Sequence, residues 1–313
     1  MSNYMNKTAY ISNPACLKHD NGDDHPESPE RLLAIQEKCD QSGLSQELQY
    51  FEAAKVSREQ LQRAHGQAYL DSIEENSPKS EKGTFYLDSD TRLSFHSLEA
   101  AQRAAGAVVM ATDLVIEKKV NHAFCAVRPP GHHAKANNAM GFCIYNNIMV
   151  GVLHALECHG LERVALLDFD VHHGNGSEHI IDHDDRILFC STFQHPFYPN
   201  EPFENNKNLI CTPLSDGASG NDFCQVVKDK WLKALEQFKP QMIFISAGFD
   251  AHKDDFLAGL NFTEADYQWV TEQIVTMANK HCEGRIVSSL EGGYNTSALA
   301  SSVEVHLRAL LGK

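Results

Sequence analysis

The chain has 313 residues, 42% of them hydrophobic and 22% charged, which fits a soluble globular protein and excludes a disordered or low-complexity chain. A formal net charge of -15 argues against nucleic acid as the main partner, since that needs a basic face, and is compatible with a cationic substrate. Nine cysteines without a CxxC pair, a polar stretch over 1–10 and no run near the roughly 18 apolar residues of a membrane span predict a cytoplasmic protein with reduced core thiols, no membrane partner and no signal sequence.

In chain order, residues 11–29 read as a loop rich in Asn, Pro and Gly. A helix follows from Pro29 with Ser28 as cap, carrying Arg31, Leu32, Ile35 and Cys39 towards Gly43. Ser57, with Gln60 three residues on, caps a short helix to about His65, and 74–83 reads as an exposed loop. Small and apolar residues at helical spacing predict a long buried helix over 97–119. Then come a strand at 123–127, a helix at 146–158, a strand at 164–169, a short helix at 176–181 and a strand at 187–190. The stretch 191–209 is an aromatic, Pro-rich loop. A helix over 221–238, a strand at 242–245, a helix over 263–281 capped by Thr263, a strand at 285–290 and a helix over 297–311 complete the chain.

The four strands that begin near 123, 164, 242 and 285 are continuous apolar runs flanked by helices, the pattern of a parallel sheet covered on both faces. With no linker or repeat, one α/β domain over 1–313 is expected. Ligands of such folds bind beyond the carboxyl ends of the strands. All four strands carry polar, Gly-rich clusters there: Gly131-His132-His133, Asp168-Phe169-Asp170-Val171-His172, Gly248-Phe249-Asp250-Ala251-His252 and Gly292-Gly293-Tyr294. Side chains two apart in extended chain share a face, so Asp168, Asp170 and His172 form one candidate ligand face. Taken alone, that run also reads as a solvated polar loop. Asp170, His172 and Asp250 supply the three protein ligands of a catalytic Zn²⁺ with its fourth position open. The same set also accepts Fe²⁺. His132 and His133 are then free for acid–base work, and Tyr294 for a hydrogen bond to an oxyanion. The assembly reads as metal-assisted hydrolysis of a carbonyl substrate. His173 and His252 read as supporting residues, and His65 and His122 as surface or packing residues. On local grounds Arg31 reads as an ordinary exposed helix residue, and Phe142 and Tyr198 as core aromatics.

Five motifs carry a resemblance. They are Arg128-Pro129-Pro130-Gly131-His132-His133-Ala134, Gly141-Phe142-Cys143-Ile144-Tyr145-Asn146-Asn147, the run Asp168 to Gly176, Ser246-Ala247-Gly248-Phe249-Asp250-Ala251-His252, and Glu291-Gly292-Gly293-Tyr294-Asn295. With His25-Pro26-Glu27-Ser28-Pro29-Glu30-Arg31-Leu32 ahead of them, the chain resembles the zinc-dependent histone deacetylase and acetylpolyamine amidohydrolase family. The resemblance implies a three-layer α/β/α fold, arginase-like, with a central, mainly parallel sheet. It implies Asp170, His172 and Asp250 as metal ligands, His133 as general base then acid, His132 as its electrostatic neighbour and Tyr294 as the group polarising the amide. Asp168 falls behind His132 and Asn175 beside His133, where Asn rather than Asp is similar to the class II branch. It further implies a structural K⁺ held by Asp168, Ser191, Thr192 and main-chain oxygens of Asp170 and His172. Gly141, Phe142, Tyr198, Leu257 and Gly292 match the substrate tunnel, and Arg31 a product channel. The implied activity is hydrolysis of acyl-lysine amides in peptides or proteins. An acetylpolyamine amidohydrolase is the alternative, disfavoured because Leu257 stands where an acidic gatekeeper is expected. A silent acyl-lysine reader is disfavoured by the intact ligands, His pair and Tyr294. The rim departs from the family at Asp255-Phe256-Leu257 and at Tyr198-Pro199-Asn200-Glu201-Pro202.

Overall fold

The computed structural model describes residues 7–313; residues 1–6, part of the polar N-terminal stretch, lie outside the described residues. Among the described residues there are ten strands: β1 (Thr8–Ser12), β2 (Gln49–Glu52), β3 (Thr84–Tyr86), β4 (Arg92–Ser94), β5 (His122–Cys125), β6 (Val164–Asp168), β7 (Ile187–Gln194), β8 (Leu209–Leu214), β9 (Met242–Ala247) and β10 (Ile286–Leu290). Eight of them form one sheet in the order β2-β1-β5-β10-β9-β6-β7-β8, with β3 and β4 a separate hairpin. All pairings in the large sheet are parallel. The central strands β5, β6, β9 and β10 are buried along their whole length, as continuous apolar runs require.

Helices flank the sheet in two groups. Ser97–Ile116 packs against Asn147–Glu157, while Thr296–Leu311 packs against both Glu30–Gln41 and Glu264–His281. The sheet and helices share a core that runs from Ala9 on the first strand to Leu310 on the last helix. This is the three-layer architecture expected.

Several local expectations need correction. Residues 11 and 12 belong to β1 rather than to the expected loop, and β1, β2 and β8 form where no strand is expected. β2 and β8 are the sheet edges; β2 alternates half-buried and exposed residues, and β8 carries Pro213, which an edge strand tolerates. β7 runs four residues past Cys190 into the expected aromatic loop. An unexpected helix, Gln67–Asn76, buries Tyr69, Leu70 and Ile73 and takes in the start of the expected 74–83 loop. The helix expected over 221–238 contains a π-helical segment, Val227–Trp231. Ser28 is not the cap of Glu30–Gln41; Pro29 stands there without a side-chain bond, and Ser28 contributes its carbonyl to the Arg31 N–H. The other two expected caps stand, since Ser57 and Thr263 close capping boxes; Asn146 is a further cap, accepting the Met149 N–H.

Register brings the strand ends level. Asp168 pairs with Ser191 on one side and Ser246 on the other, and Leu290 pairs with Ala247. The loops that follow β5, β6, β9 and β10 therefore open onto one edge.

Candidate active site

Asp170, His172 and Asp250 meet where the β6 and β9 loops converge, with one donor atom of each within 4.8 Å of the others. Backbone N–H groups orient the two carboxylates: Gly292 donates to Asp170 Oδ2 at 2.8 Å, and Val171 to Asp250 Oδ1 at 2.9 Å. His172 Nδ1 lies 3.0 Å from Asp170 Oδ1 and 3.3 Å from Asp250 Oδ2. Asp250 Oδ2 has no hydrogen-bond partner although it is fully buried. Cβ atoms at Gly248 and Gly292 would overlap these carboxylates, so the glycines keep the space free. Burial, and then the charge of Asp170, push the Asp250 carboxyl up to about 6. Two buried carboxylates and an imidazole around an orphaned oxygen form the donor set that fits a divalent cation.

Two other His-containing groups differ. In Asp113–His154–His159, both rings meet Asp113 Oδ1, at 2.9 and 2.7 Å, and the Arg63 guanidinium lies 3.1 Å from His154 Nδ1. An arginine there makes Nε2 the N–H side of His154, which turns a donor rather than a lone pair towards Asp113. In His173–Glu178–Cys211, the His173 ring bridges Ser191 and Glu178, and burial raises the Cys211 thiol far above its usual range. His252 is buried between Glu264 and the Asp254 backbone, outside the Asp170 group. His65 and His122 are both buried, which excludes a surface role.

The two histidines of the β5 loop differ sharply. His132 Nδ1 lies 3.0 Å from Asp168 Oδ2, and its Nε2 lies 3.7 Å from Asp170 Oδ1. Burial opposes its charge, but Asp170 and Asp168 prevail and raise its pKa to about 10. His133 Nδ1 instead meets the neutral Asn175 Oδ1 at 2.8 Å. Burial, then the neighbouring His132 and His172, hold His133 well below its usual range. One imidazolium and one neutral imidazole thus stand side by side, with ring centroids 4.0 Å apart.

A cavity of about 210 Å³ beside this group is lined by Phe142, Tyr198, Phe197, Leu257, Tyr294, Gly141 and Gly292 together with His132, His133 and His172. Tyr198 meets the His133 ring edge-on at 5.2 Å, and Phe142 meets Tyr294 at 6.0 Å. The aromatics read on local grounds as core residues therefore line an opening. Gly141 has φ +57°, and a Cβ there would lie 2.5 Å from His133 Cδ2, so a side chain has no place between the base of the cavity and its wall. Arg31 is fully buried, not exposed. It donates to Gly293 O at 2.6 Å and to Glu291 O, and pairs with Glu27 at 3.1 Å. Ser191 pairs in register with Asp168, and Thr192 Oγ1 is buried without a partner.

Sequence reasoning missed several neighbours. Asp90, from the β3–β4 hairpin, joins the cavity wall, and Thr91 there accepts the Phe142 N–H at 3.1 Å. Phe197 stacks on His172 at 5.4 Å. Asp255 binds the Tyr294 turn, Glu291 Oε2 accepts the Gly131 and His132 N–H groups, and Glu201 binds Asn175. The acidic turn around Asp88 and Asp90 and the aromatic-Pro run around Phe197 were the available signals; the others depend on contacts between distant segments.

Among the described residues no helix is long and apolar enough to cross a membrane. The histone deacetylase domain profile matches residues 25–310. A probable deacetylase of Archaeoglobus fulgidus is 35% identical over 297 residues, covering 92% of this chain and 81% of the relative. A histone deacetylase-like amidohydrolase of Pseudomonas aeruginosa is 36% identical over 280 residues, covering 87% and 73%. The crystal structure of the HDA15 HD domain superposes with a TM-score of 0.90 at 30% identity, over 99% of this chain and 89% of that one. The chain belongs to the histone deacetylase family of hydrolases.

Proposed function

We propose that the chain, acting as one catalytic domain, hydrolyses the amide of Nε-acyl-lysine in peptides or proteins in a metal-dependent reaction. The observation that carries this reading is the aromatic-walled cavity lined by His133, His172 and Tyr294, with Asp170 and Asp250 grouped beside His172. The methylenes of a lysine suit walls made by Phe142 and Tyr198, and its amide would reach the polar end.

Asp170, His172 Nδ1 and Asp250 would hold the ion, Zn²⁺ or Fe²⁺. When bound, it supplies positive charge that polarises a carbonyl and acidifies water. His133, neutral at pH 7, takes the proton from the attacking water and then delivers it to the leaving amine. His132, kept protonated by Asp170 and Asp168, adds positive charge beside the developing oxyanion. The Tyr294 hydroxyl donates to the carbonyl oxygen as its charge grows. Asp168, Ser191 and Thr192, with main-chain oxygens of Asp170 and His172, are assigned to a K⁺ that steadies the β6 end, and Arg31 to the route by which the carboxylate product leaves. Nine free cysteines support a reducing, cytoplasmic setting.

A second reading, hydrolysis of acetylpolyamines, is favoured by one observation: the Asp90 carboxylate lines the same cavity and would attract a second ammonium. Leu257 counts the other way, since it presents an apolar side chain there. Release of acetate from an acetyl-lysine peptide and of trifluoroacetate from a trifluoroacetyl-lysine peptide, compared with Tyr294→Phe, tests the first reading. Turnover that Tyr294→Phe lowers roughly 10²–10³-fold is expected for loss of an oxyanion donor; equal rates in the two proteins would remove Tyr294 from the reaction.

A further inference from the structure

The partner of His133 is an asparagine, and an asparagine has two faces. Its amide can present an oxygen, which accepts, or an NH₂, which donates. An aspartate would offer an oxygen either way. Something must therefore choose the face that His133 meets. Asn175 Nδ2 lies 2.8 Å from Glu201 Oε2 and 3.3 Å from Met140 Sδ. Glu201 Oε1 in turn accepts from Lys135 Nζ at 2.8 Å. An ionised carboxylate only accepts, so the NH₂ must face Glu201 and Oδ1 must face His133.

We propose that Glu201 is a positioning residue: by fixing the Asn175 amide it fixes the His133 tautomer. With Asn175 Oδ1 at 2.8 Å, His133 carries its proton on Nδ1, and the Nε2 lone pair is left for the cavity. A flipped amide would put NH₂ against Nδ1, drive the proton to Nε2 and remove the base. Burial works to raise the Glu201 carboxyl, but Lys135 and Asn175 outweigh it and keep it below the usual range, hence ionised. Glu201 stands three residues beyond Tyr198, in the loop where the chain departs from the family, so one loop supplies both a cavity wall and the clamp on the base. Lys135, Asn175 and Glu201 also line a second cavity of about 300 Å³, so water can take the place of a shortened Glu201 side chain and the loop need not collapse.

The inference rests on the role given to His133, and the experiment separates the two. Glu201→Ala and Glu201→Gln are compared in the native chain and in an Asn175→Asp background, with kcat and KM on an acetyl-lysine peptide. In parallel, ¹⁵N NMR reads the His133 tautomer with and without Zn²⁺. Expected is a fall in kcat of about tenfold for Glu201→Ala with KM roughly unchanged, as for loss of a hydrogen bond to a charged group, and appearance of the Nε2–H tautomer. Glu201→Gln has one amide oxygen for two donors; with Lys135 Nζ holding it, the Gln NH₂ faces Asn175, so this variant should lose at least as much rate and show the same Nε2–H tautomer. In the Asn175→Asp background Glu201→Ala should raise kcat, because two carboxylates no longer face each other. Equal losses in both backgrounds, or an unchanged tautomer in Glu201→Ala, would overturn the proposal. If the native protein turns over no acyl substrate, the functional reading fails while the tautomer still decides the role of Glu201.

Discussion

The Asp255 carboxylate binds the turn that carries Tyr294: its Oδ2 accepts the Tyr294 N–H at 2.6 Å. The same oxygen accepts the Asn295 N–H at 3.0 Å, and Oδ1 accepts the Leu257 N–H at 3.0 Å. One buried side chain thus couples the residue assigned to the carbonyl with the residue at the cavity wall. Asp255→Ala should lower kcat/KM by tenfold or more, on the scale of charge-assisted hydrogen bonds. Metal content measured on the same preparation should not change, because Asp255 lies outside the Asp170–His172–Asp250 group.

Gly141→Ala tests the close approach at the base of the cavity. The new methyl would meet His133 Cδ2 at 2.5 Å in a left-handed backbone that disfavours a side chain. Activity should drop at least tenfold while thermal unfolding shifts by only the cost of the strained backbone, about 1–2 kcal/mol. Full activity in the alanine variant would show that His133 has room to move aside.

Acid stability follows from buried groups away from the cavity. Glu27 is fully buried among Arg128, Arg31 and His19. Burial works to raise its pKa, but Arg128 and Arg31 lower it to about 2 from 4.5. Its folded value is depressed, so its stabilisation is present above about pH 4.5 and lost as pH falls towards 2. Burial lowers His65 and His122 to about 4 from 6.5. The unfolded chain then takes up protons first, so these groups favour folding above pH 6.5 and that advantage is lost between 6.5 and 4. A melting temperature that is level near neutrality and declines through both windows is expected. Glu27→Gln, which leaves two buried guanidiniums short of a carboxylate, should cost about 3–5 kcal/mol in denaturant unfolding at pH 7; a cost under 1 kcal/mol would contradict this account of the cluster.

The features legible from sequence share one physical basis. Central strands are buried on both faces, so β6 and β9 are uninterrupted apolar runs that end abruptly in Asp, His and Gly. Edge strands lack that signal: β2 alternates, and β8 includes Pro213. Site residues delivered by strand ends, such as Asp170, His172 and Asp250, were found because strand and motif coincide. Asp255 and Glu201 were not, since they work through partners 39 and 26 residues away, and Asp90 was not, since it comes from the turn of a short hairpin outside the main sheet. Arg31 shows the limit of local reading: its helix position says nothing of Glu27, Glu291 and Gly293 closing over it.

Leu257→Glu addresses the choice of amine. A carboxylate added to the wall that already holds Asp90 should raise kcat/KM for acetylspermidine relative to an acetyl-lysine peptide by about fivefold, the worth of one partly exposed ion pair. Salt should erase the gain. An unchanged ratio would mean that the second ammonium lies elsewhere.

The most direct measurement is kcat/KM of the purified protein on an acetyl-lysine peptide and on acetylspermidine, before and after chelation and after Zn²⁺ is restored. The account predicts preference for the peptide, loss of both activities on chelation, and recovery with metal in the native protein but not in Asp250→Asn. Turnover that survives complete removal of metal, or a clear preference for acetylspermidine, would contradict it.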